Sequence, residues 1–476
     1  MTRTKTTPRR RSSVLSRADQ HQYFPPWTTP YIIGVGGTSG SGKTSVANKI
    51  VSSINVPWTV LVSLDNFYKP LSPEERKRAF NNEYDFDEPS AIDLDLAYEC
   101  ILNLKEGKKT TIPVYSFVNH NRDPDKHIQI YGASVIVIEG IYALYDQRLL
   151  DLMDLKIYVD ADLDICLARR LARDIVSRGR DLDGCLLQWE RYVKPDAVKY
   201  VQPTMNNADA IVPSVSDNSV AVGLLINHIE SKLEVKSEEH INELVRLGHS
   251  DLKPLKEYAN LNILPQTNQV KAIHTILIDR SVDRADFVFY FDRIATILIA
   301  NALNDVPIER HYSITTPEGY ELKDQIKCHY ESVTAISTIR SGDCFMSSLK
   351  KAIPNMSVGK LLIQSDSQTG EPQLHCEFIP SDITRYGKVL IFEAQIISGA
   401  AMIMAIQVLL DHKVKLESIH IVVYMATELG TRRILNAFGN KVKISAAVVV
   451  TKAELKNHKS NWALTRFVDN QYFGCE

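Results

Sequence analysis

The chain has 476 residues, enough for two or three cores at about 150 residues per domain. Its 55 basic and 57 acidic side chains leave a net charge of −2, which excludes the basic excess of a dedicated nucleic-acid binder. The most hydrophobic stretch, 391–410, is broken by Glu393, Gln395 and Gln407 and makes a poor membrane span, while seven scattered cysteines without a CxxC pair predict a reducing compartment.

In chain order, the first 28 residues read as a disordered basic tail. Arg9-Arg10-Arg11-Ser12-Ser13 sits in a segment with no acidic residue before Asp19 and few large apolar side chains. A solvated tail is the simplest reading, with a nuclear address or a phosphorylation site as functional alternatives, and no apolar segment follows that would make a secretory signal. From Tyr31 the texture alternates. Apolar runs of strand length at 31–36, 58–63, 134–139, 155–159 and 210–212 are separated by helical stretches such as 44–54 and 162–178. Such alternation predicts an α/β fold, a parallel sheet covered on both faces. Residues 236–262 carry more charge, with Pro254, and read as a linker or a helical connector before a second α/β series over 263–476. Strands are expected there at 361–364, 389–392, 419–424 and 443–450, and helices at 399–410 and 431–438.

The sharpest motif is Gly37-Thr38-Ser39-Gly40-Ser41-Gly42-Lys43-Thr44, a full GxxxxGK[ST] match between a predicted strand and a predicted helix. Five of the 21 glycines lie between Gly34 and Gly42. They let the backbone wrap an anion with its N–H groups pointing inward at a helix N-terminus. Lys43 is expected to reach the outer phosphates and the Thr44 hydroxyl to bind Mg²⁺. The loop alone leaves an ATPase, a GTPase switch and a small-molecule kinase open. Asp65, just past the second strand, suits a base that takes a proton from an attacking hydroxyl and helps order the metal, or a plain turn cap. Val135-Ile136-Val137-Ile138-Glu139 is a buried-strand run ending in a carboxylate suited to Mg²⁺ or its waters. Arg169, Arg170, Arg173, Arg178 and Arg180 crowd one segment, with 170 and 173 on one helix face. They suit a lid over phosphates, or a solvated basic face offset by Asp174, Asp181 and Asp183.

Taken together, residues 33–234 resemble the uridine–cytidine kinases of the P-loop nucleoside kinase group. The resemblance rests on GGTSGSGKTS at 36–45, SLDNFY at 63–68, YDFDEP at 84–89, IPVYSFVNHNR at 112–122, VIEGIYAL at 137–144 and RRLARDIVSRGRDL at 169–182. It implies transfer of the ATP γ-phosphate, with GTP as a second candidate donor, to the 5′-hydroxyl of uridine or cytidine in pyrimidine salvage. It further implies a kinase domain over 29–235, Asp65 as general base, and Thr44, Asp65 and Glu139 around Mg²⁺. Asp87, Arg170 and Gln188 fall on ribose-associated positions, Tyr115, His120 and Arg180 on those that read the base, and Phe117 on a neighbouring aromatic. Arg173 and Arg178 match phosphate-handling lid residues. The resemblance also implies a homo-oligomer, UTP or CTP as feedback ligands, and a cytoplasmic location, with a nuclear one added if the basic tail acts as an address.

Residues 260–476 resemble uracil phosphoribosyltransferases more loosely, through VDRADFVFYFDRIATILIANAL at 282–303 and GKLLIQSDSQTGEPQLHCEFIP at 359–380. Arg340 is retained in the 337–342 loop, but Ser341 stands in an alanine position. In the segment matching the phosphoribosyl-pyrophosphate loop, Glu393 replaces an aspartate, Ile397 stands in a small position, and Ala400-Ala401 replaces a glycine and a hydroxyl. The glycine-rich C-terminal uracil loop is reduced to residues 467–474, and Ser365 stands where many relatives carry a basic residue. This half is therefore expected to be catalytically degenerate, serving assembly or regulation; the alternatives for the whole chain are a working uracil phosphoribosyltransferase or a non-catalytic nucleotide-binding regulator.

Overall fold

The computed structural model describes residues 23, 25–54, 56, 59–178, 181–214, 218–249, 254–365, 370–439, 441–457 and 462–475. Most of the basic tail, Trp58 and Arg180 lie outside these residues. The expected disorder over 1–28 is corrected at its end. Pro26–Thr28 forms a 3₁₀ turn in which Trp27 is buried, its ring edge-on to Tyr131 at 6.1 Å. Tyr23 is buried as well, so two large aromatics supply apolar area at the end of the tail.

The chain divides into two compact units, residues 24–242 with 362–377, and residues 243–361 with 378–476. In the first unit, β1 (Tyr31–Gly36), β2 (Thr59–Ser63), β5 (Val135–Glu139), β6 (Leu155–Asp160) and β7 (Ala210–Pro213) form a sheet in the order β2-β5-β1-β6-β7. Every pairing in it is parallel, as the continuous apolar runs predict. β1 and β5 are buried along their whole length, because helices cover both of their faces. An antiparallel hairpin, β3 (Thr110–Ser116) with β4 (Asn121–Ile130), stands outside this sheet.

Two further features bear on the site. From Leu182 to Asn207 the chain stays helical but widens twice into π-helix, at Trp189–Val193 and at Ala197–Val201. Each widening precedes an X-Pro step, Lys194-Pro195 and Gln202-Pro203. A proline ring collides with the carbonyl four residues back. Those carbonyls belong to Arg191 and Lys199, both inside the widened turns. Next, the helix Ser219–His249 takes in 236–249 of the expected connector, and the division between units falls within it, at 242/243.

In the second unit, β8 (Leu261–Ile263), β11 (Val333–Ile339), β14 (Lys388–Ile396), β15 (Ile419–Thr427) and β16 (Lys443–Val450) lie parallel in the order β11-β14-β15-β16-β8. β14 and β15 are its most fully buried strands, and the helix Ala400–Asp411 follows β14 as expected. The hairpin β9 (Ile308–Thr315) with β10 (Glu321–Cys328) is exposed over most of its length. The alternating pattern read from the sequence did not include it. β12 (Val358–Ser365) and β13 (Pro372–Phe378) follow β11 in the chain, and their segment 362–377 clusters with the first unit.

Candidate active site

At the carboxyl ends of β1, β2 and β5, one cleft collects the residues that the sequence spreads over 155 positions. Ser39 and Lys43 come from the turn after β1, Asp65 from the turn after β2, and Asp87 from the loop that follows. Tyr115, Phe117 and His120 come from the β3–β4 hairpin, Arg170 and Arg173 from the helix Leu163–Arg178, and Gln188 from the kinked helix. All ten were expected site residues.

The phosphate loop owes its shape to glycines in the left-handed region at two close approaches. Gly40 has φ +87° and lies against the Cys166 carbonyl, where a Cβ would collide; Gly42 caps the helix Lys43–Ser53 at φ +94°. Gly37 packs against the Val159 carbonyl and the Ser41 hydroxyl, and the amide of Ser41 donates to the Thr38 carbonyl at 3.0 Å. The Thr38 hydroxyl meets Cys166 Sγ at 3.2 Å and is buried, so it braces the loop instead of facing the cleft. Arg169 braces it from outside, donating to the Ser41 carbonyl and to Ser214 Oγ.

Thr44 lies in the first turn of the helix Lys43–Ser53, and its hydroxyl donates to Glu139 Oε2 at 3.1 Å. Parallel register puts Ser63 directly beside Glu139, and its hydroxyl donates to the other carboxylate oxygen at 2.5 Å. Glu139 is buried. Ser63 also caps the 3₁₀ turn Leu64–Phe67, accepting from the Asp65 amide at 3.4 Å, so one hydroxyl ties the two carboxylate positions together. These are hard oxygen donors of the kind Mg²⁺ prefers. Among the described residues no group of three His, Cys, Asp or Glu side chains could hold a metal ion. A bound ion would therefore take much of its coordination from phosphate and water.

Arg170 reaches both ends of the cleft. Its Nη1 donates to Ser39 Oγ at 2.9 Å and lies 3.7 Å from Asp87, and its Nε is 3.6 Å from buried Asp174. Arg173 donates to Asp174 at 2.8 Å. Burial pushes Asp87 above the usual carboxylate range, and the Arg170 guanidinium only partly offsets it. The backbone around Asp87 is held from two sides, by the Tyr142 hydroxyl on the Asp87 carbonyl and by Asp85, whose Oδ1 accepts from the amides of Asp87 and Glu88.

An aromatic enclosure completes the far end. His120, at φ +46°, stacks on Phe86 at 5.3 Å, while Tyr68 packs against Tyr115, Phe117 and Phe86. Arg122 binds the carbonyls of Phe67 and Tyr68 and pairs with Asp93, fixing the hairpin to the Asp65 turn.

The described residues include part of the arginine-rich segment. Arg178 closes the helix Leu163–Arg178, and Arg180 lies outside the described residues. Sequence reasoning missed Tyr68, Tyr84, Phe86, Ile141, Tyr192 and Val193, which also line the cleft. The first four sit in or beside the quoted motifs. Tyr192 and Val193 carry no motif, and only the prolines that follow them signal the widened helix.

In the second unit, Thr338 Oγ1 donates to the Phe392 carbonyl at 2.8 Å and to Glu393 at 2.5 Å. Gln395 Oε1 accepts from the amides of Phe467 and Val468, and Arg340 pairs with Asp469 at 3.1 Å. Gly399, at φ +79°, caps the helix Ala400–Asp411, and Ala400 is buried. The residues expected to bind a phosphoribosyl group are thus engaged with one another.

Comparison with known proteins gives two family matches. The model described as Phosphoribulokinase / Uridine kinase family matches residues 32–221, and the Uracil phosphoribosyltransferase model matches 264–460. The chain is 68% identical over 464 residues to a uridine kinase of Saccharomyces cerevisiae, covering 97% of this chain and 92% of that one. It is 38% identical to a uridine kinase of Schizosaccharomyces pombe, over 95% and 97% of the two chains. It is also 38% identical to the mouse protein uridine-cytidine kinase-like 1, over 89% and 77%.

Proposed function

Because the chain belongs to the phosphoribulokinase/uridine kinase family, we propose that it transfers the γ-phosphoryl group of ATP to the 5′-hydroxyl of uridine or cytidine, giving UMP or CMP. The observation that carries this reading is the single cleft in which Lys43, Asp65, Asp87, Arg170, His120 and Gln188 meet.

Asp65 accepts the proton of the attacking 5′-hydroxyl as its oxygen bonds the γ-phosphorus and the bond from that phosphorus to the β–γ bridging oxygen breaks, releasing ADP. Lys43 and the phosphate loop, Gly37 to Thr44, hold the triphosphate, and Arg173 and Arg178 neutralise charge on the transferred group. Thr44, Glu139 and Asp65 would hold Mg²⁺, which when bound offsets negative charge on the phosphoryl oxygens. Asp87, with Arg170 and Gln188, faces the 2′- and 3′-hydroxyls; an unpaired buried carboxylate is costly, so deoxyribose is disfavoured. Tyr115, Phe117, His120 and Arg180 enclose the base, and a histidine faces either a 4-keto or a 4-amino group according to its tautomer. The loop grips phosphates and not the donor base, so GTP is a second donor to assay.

The kinase domain is taken as 29–235 and the phosphoribosyltransferase-like domain as 263–476, extents supported by the two family matches. The second domain serves assembly or binds UTP or CTP as feedback ligands; its engaged Glu393, Gln395 and Arg340 support catalytic silence. A homo-oligomer, a place in pyrimidine salvage and a cytoplasmic location belong to the same reading. No helix among the described residues is long and apolar enough to cross a membrane.

Two mixtures test it: ATP and Mg²⁺ with uridine or cytidine, and uracil with phosphoribosyl pyrophosphate. UMP or CMP is expected in the first alone, and UMP in the second alone overturns the assignment.

A further inference from the structure

Before the loop that brings Tyr84, Phe86 and Asp87 to the cleft, the chain makes one short excursion, the helix Pro73–Phe80. A capping box fixes its start: Ser72 Oγ accepts from the Glu75 amide at 3.2 Å, and Glu75 Oε2 accepts from the Ser72 amide at 2.8 Å. Arg76 and Phe80 are four residues apart and share a face of this helix. Both meet the tip of the β3–β4 hairpin. Arg76 Nε donates to the Asn119 carbonyl at 2.9 Å, and the Phe80 and His120 rings lie edge-on, 5.1 Å apart at 79°. The Arg76 guanidinium is 5.8 Å from the Phe80 ring centre, so the two side chains also brace each other.

His120 is therefore held by two rings, Phe86 stacked at 5.3 Å and Phe80 edge-on. Its backbone, at φ +46°, is in a region that residues other than glycine keep only where their surroundings hold them. Phe86 lines the cleft; among the described residues Phe80 and Arg76 do not. Phe80 is 55% exposed, and the buried residue of its helix is Ala79, so the Phe80 ring adds little to the core.

We propose that Phe80 is a positioning residue for nucleoside recognition, holding the His120 imidazole at the angle from which it meets the pyrimidine base while Arg76 keeps the helix seated on the hairpin tip. The inference rests on the kinase reading above, which sets His120 against the base. An imidazole carries its donor and acceptor in the ring plane, and a hydrogen bond weakens steeply as its angle closes. The torsion that turns a histidine ring is intrinsically broad, so neighbours must choose the plane. One edge-to-face pair gives roughly a three- to tenfold bias toward one arrangement. Apparent affinity falls with the fraction of molecules that hold the competent arrangement.

The test uses the full chain. In Phe80→Ala the KM for uridine and for cytidine should rise about three- to tenfold, with kcat and the KM for ATP within about twofold of wild type. Because the ring is more than half exposed, the melting temperature should stay close to that of the wild type. Phe80→Tyr keeps the ring edge and should keep the wild-type KM. The double variant Phe80→Ala/His120→Ala should have a nucleoside KM no higher than His120→Ala alone, because Phe80 acts through that ring. A nucleoside KM in Phe80→Ala within about twofold of wild type, an equal rise in the KM for ATP, or a double variant in which the two effects multiply overturns the positioning role and leaves the kinase reading standing. A wild-type protein that phosphorylates neither uridine nor cytidine overturns both.

Discussion

Asp65 stands at the start of a 3₁₀ turn whose cap, Ser63, also holds Glu139, so two carboxylates with different tasks share one anchor. General-base catalysis by a positioned carboxylate is worth about 10²–10⁴-fold. Asp65→Ala should lower kcat by that order and leave ATP binding nearly intact, read by steady-state rates and by calorimetry of ATP binding. Lost ATP affinity would instead make Asp65 part of the nucleotide site. Asp87 carries a second prediction. Burial raises its proton affinity, so it protonates above the usual carboxylate range as pH falls. Once protonated it loses its charge and with it acceptor strength toward ribose hydroxyls. The acid limb of kcat/KM for uridine should therefore lie above that range, and Asp87→Asn should remove the limb and narrow the preference for ribose over deoxyribose. A limb that persists in Asp87→Asn assigns it to another group.

At the scale of elements, the parallel sheet, the phosphate loop and the ends of β2 and β5 were legible in the sequence because each is encoded locally. An apolar run gives a buried strand, glycines give the left-handed turns, and a polar residue after the run gives the site. The wall made by Tyr192 and Val193 was not legible. It depends on a helix widening by one residue per turn, a response to Pro195 and Pro203 that no hydrophobic period reports. Arg122 was quoted inside a motif, but its service to the Phe67 and Tyr68 carbonyls needs contacts 54 and 55 residues apart. The widened turn predicts its own test. Pro195→Ala restores a donor and removes the ring clash, allowing ordinary α-helix. The residues after the bulge then rotate by about 100°, one residue of a 3.6-residue turn. The uridine KM should rise severalfold while thermal stability holds or improves, and an unchanged KM would show that the wall does not depend on the bulge.

The two units of the molecule are not two consecutive lengths of chain. Residues 362–377 lie in the later half of the sequence yet cluster with the first unit. The helix Ser219–His249 shows how they are held there. The Ser237 hydroxyl donates to Glu371, and His240 Nδ1 lies 2.5 Å from the same carboxylate, with His240 and Glu371 both buried. A reading by consecutive domains assigns Glu371 to the phosphoribosyltransferase-like half, because β12 and β13 follow its other strands in the chain. Removing that carboxylate takes the acceptor from buried His240 and half-buried Ser237, at about 1–3 kcal/mol. A domain of 150–250 residues loses about 2–4 °C of Tm per kcal/mol, so Glu371→Ala in the full chain should lower the temperature at which kinase activity is lost by about 2–12 °C. Glu371→Gln keeps an acceptor oxygen and should recover part of the loss. Both substitutions lie in the later half of the chain, so the readout is uridine phosphorylation after heating. If kinase activity survives heating equally in wild type and Glu371→Ala, the segment is a passenger on the kinase unit and the first half is energetically complete without it.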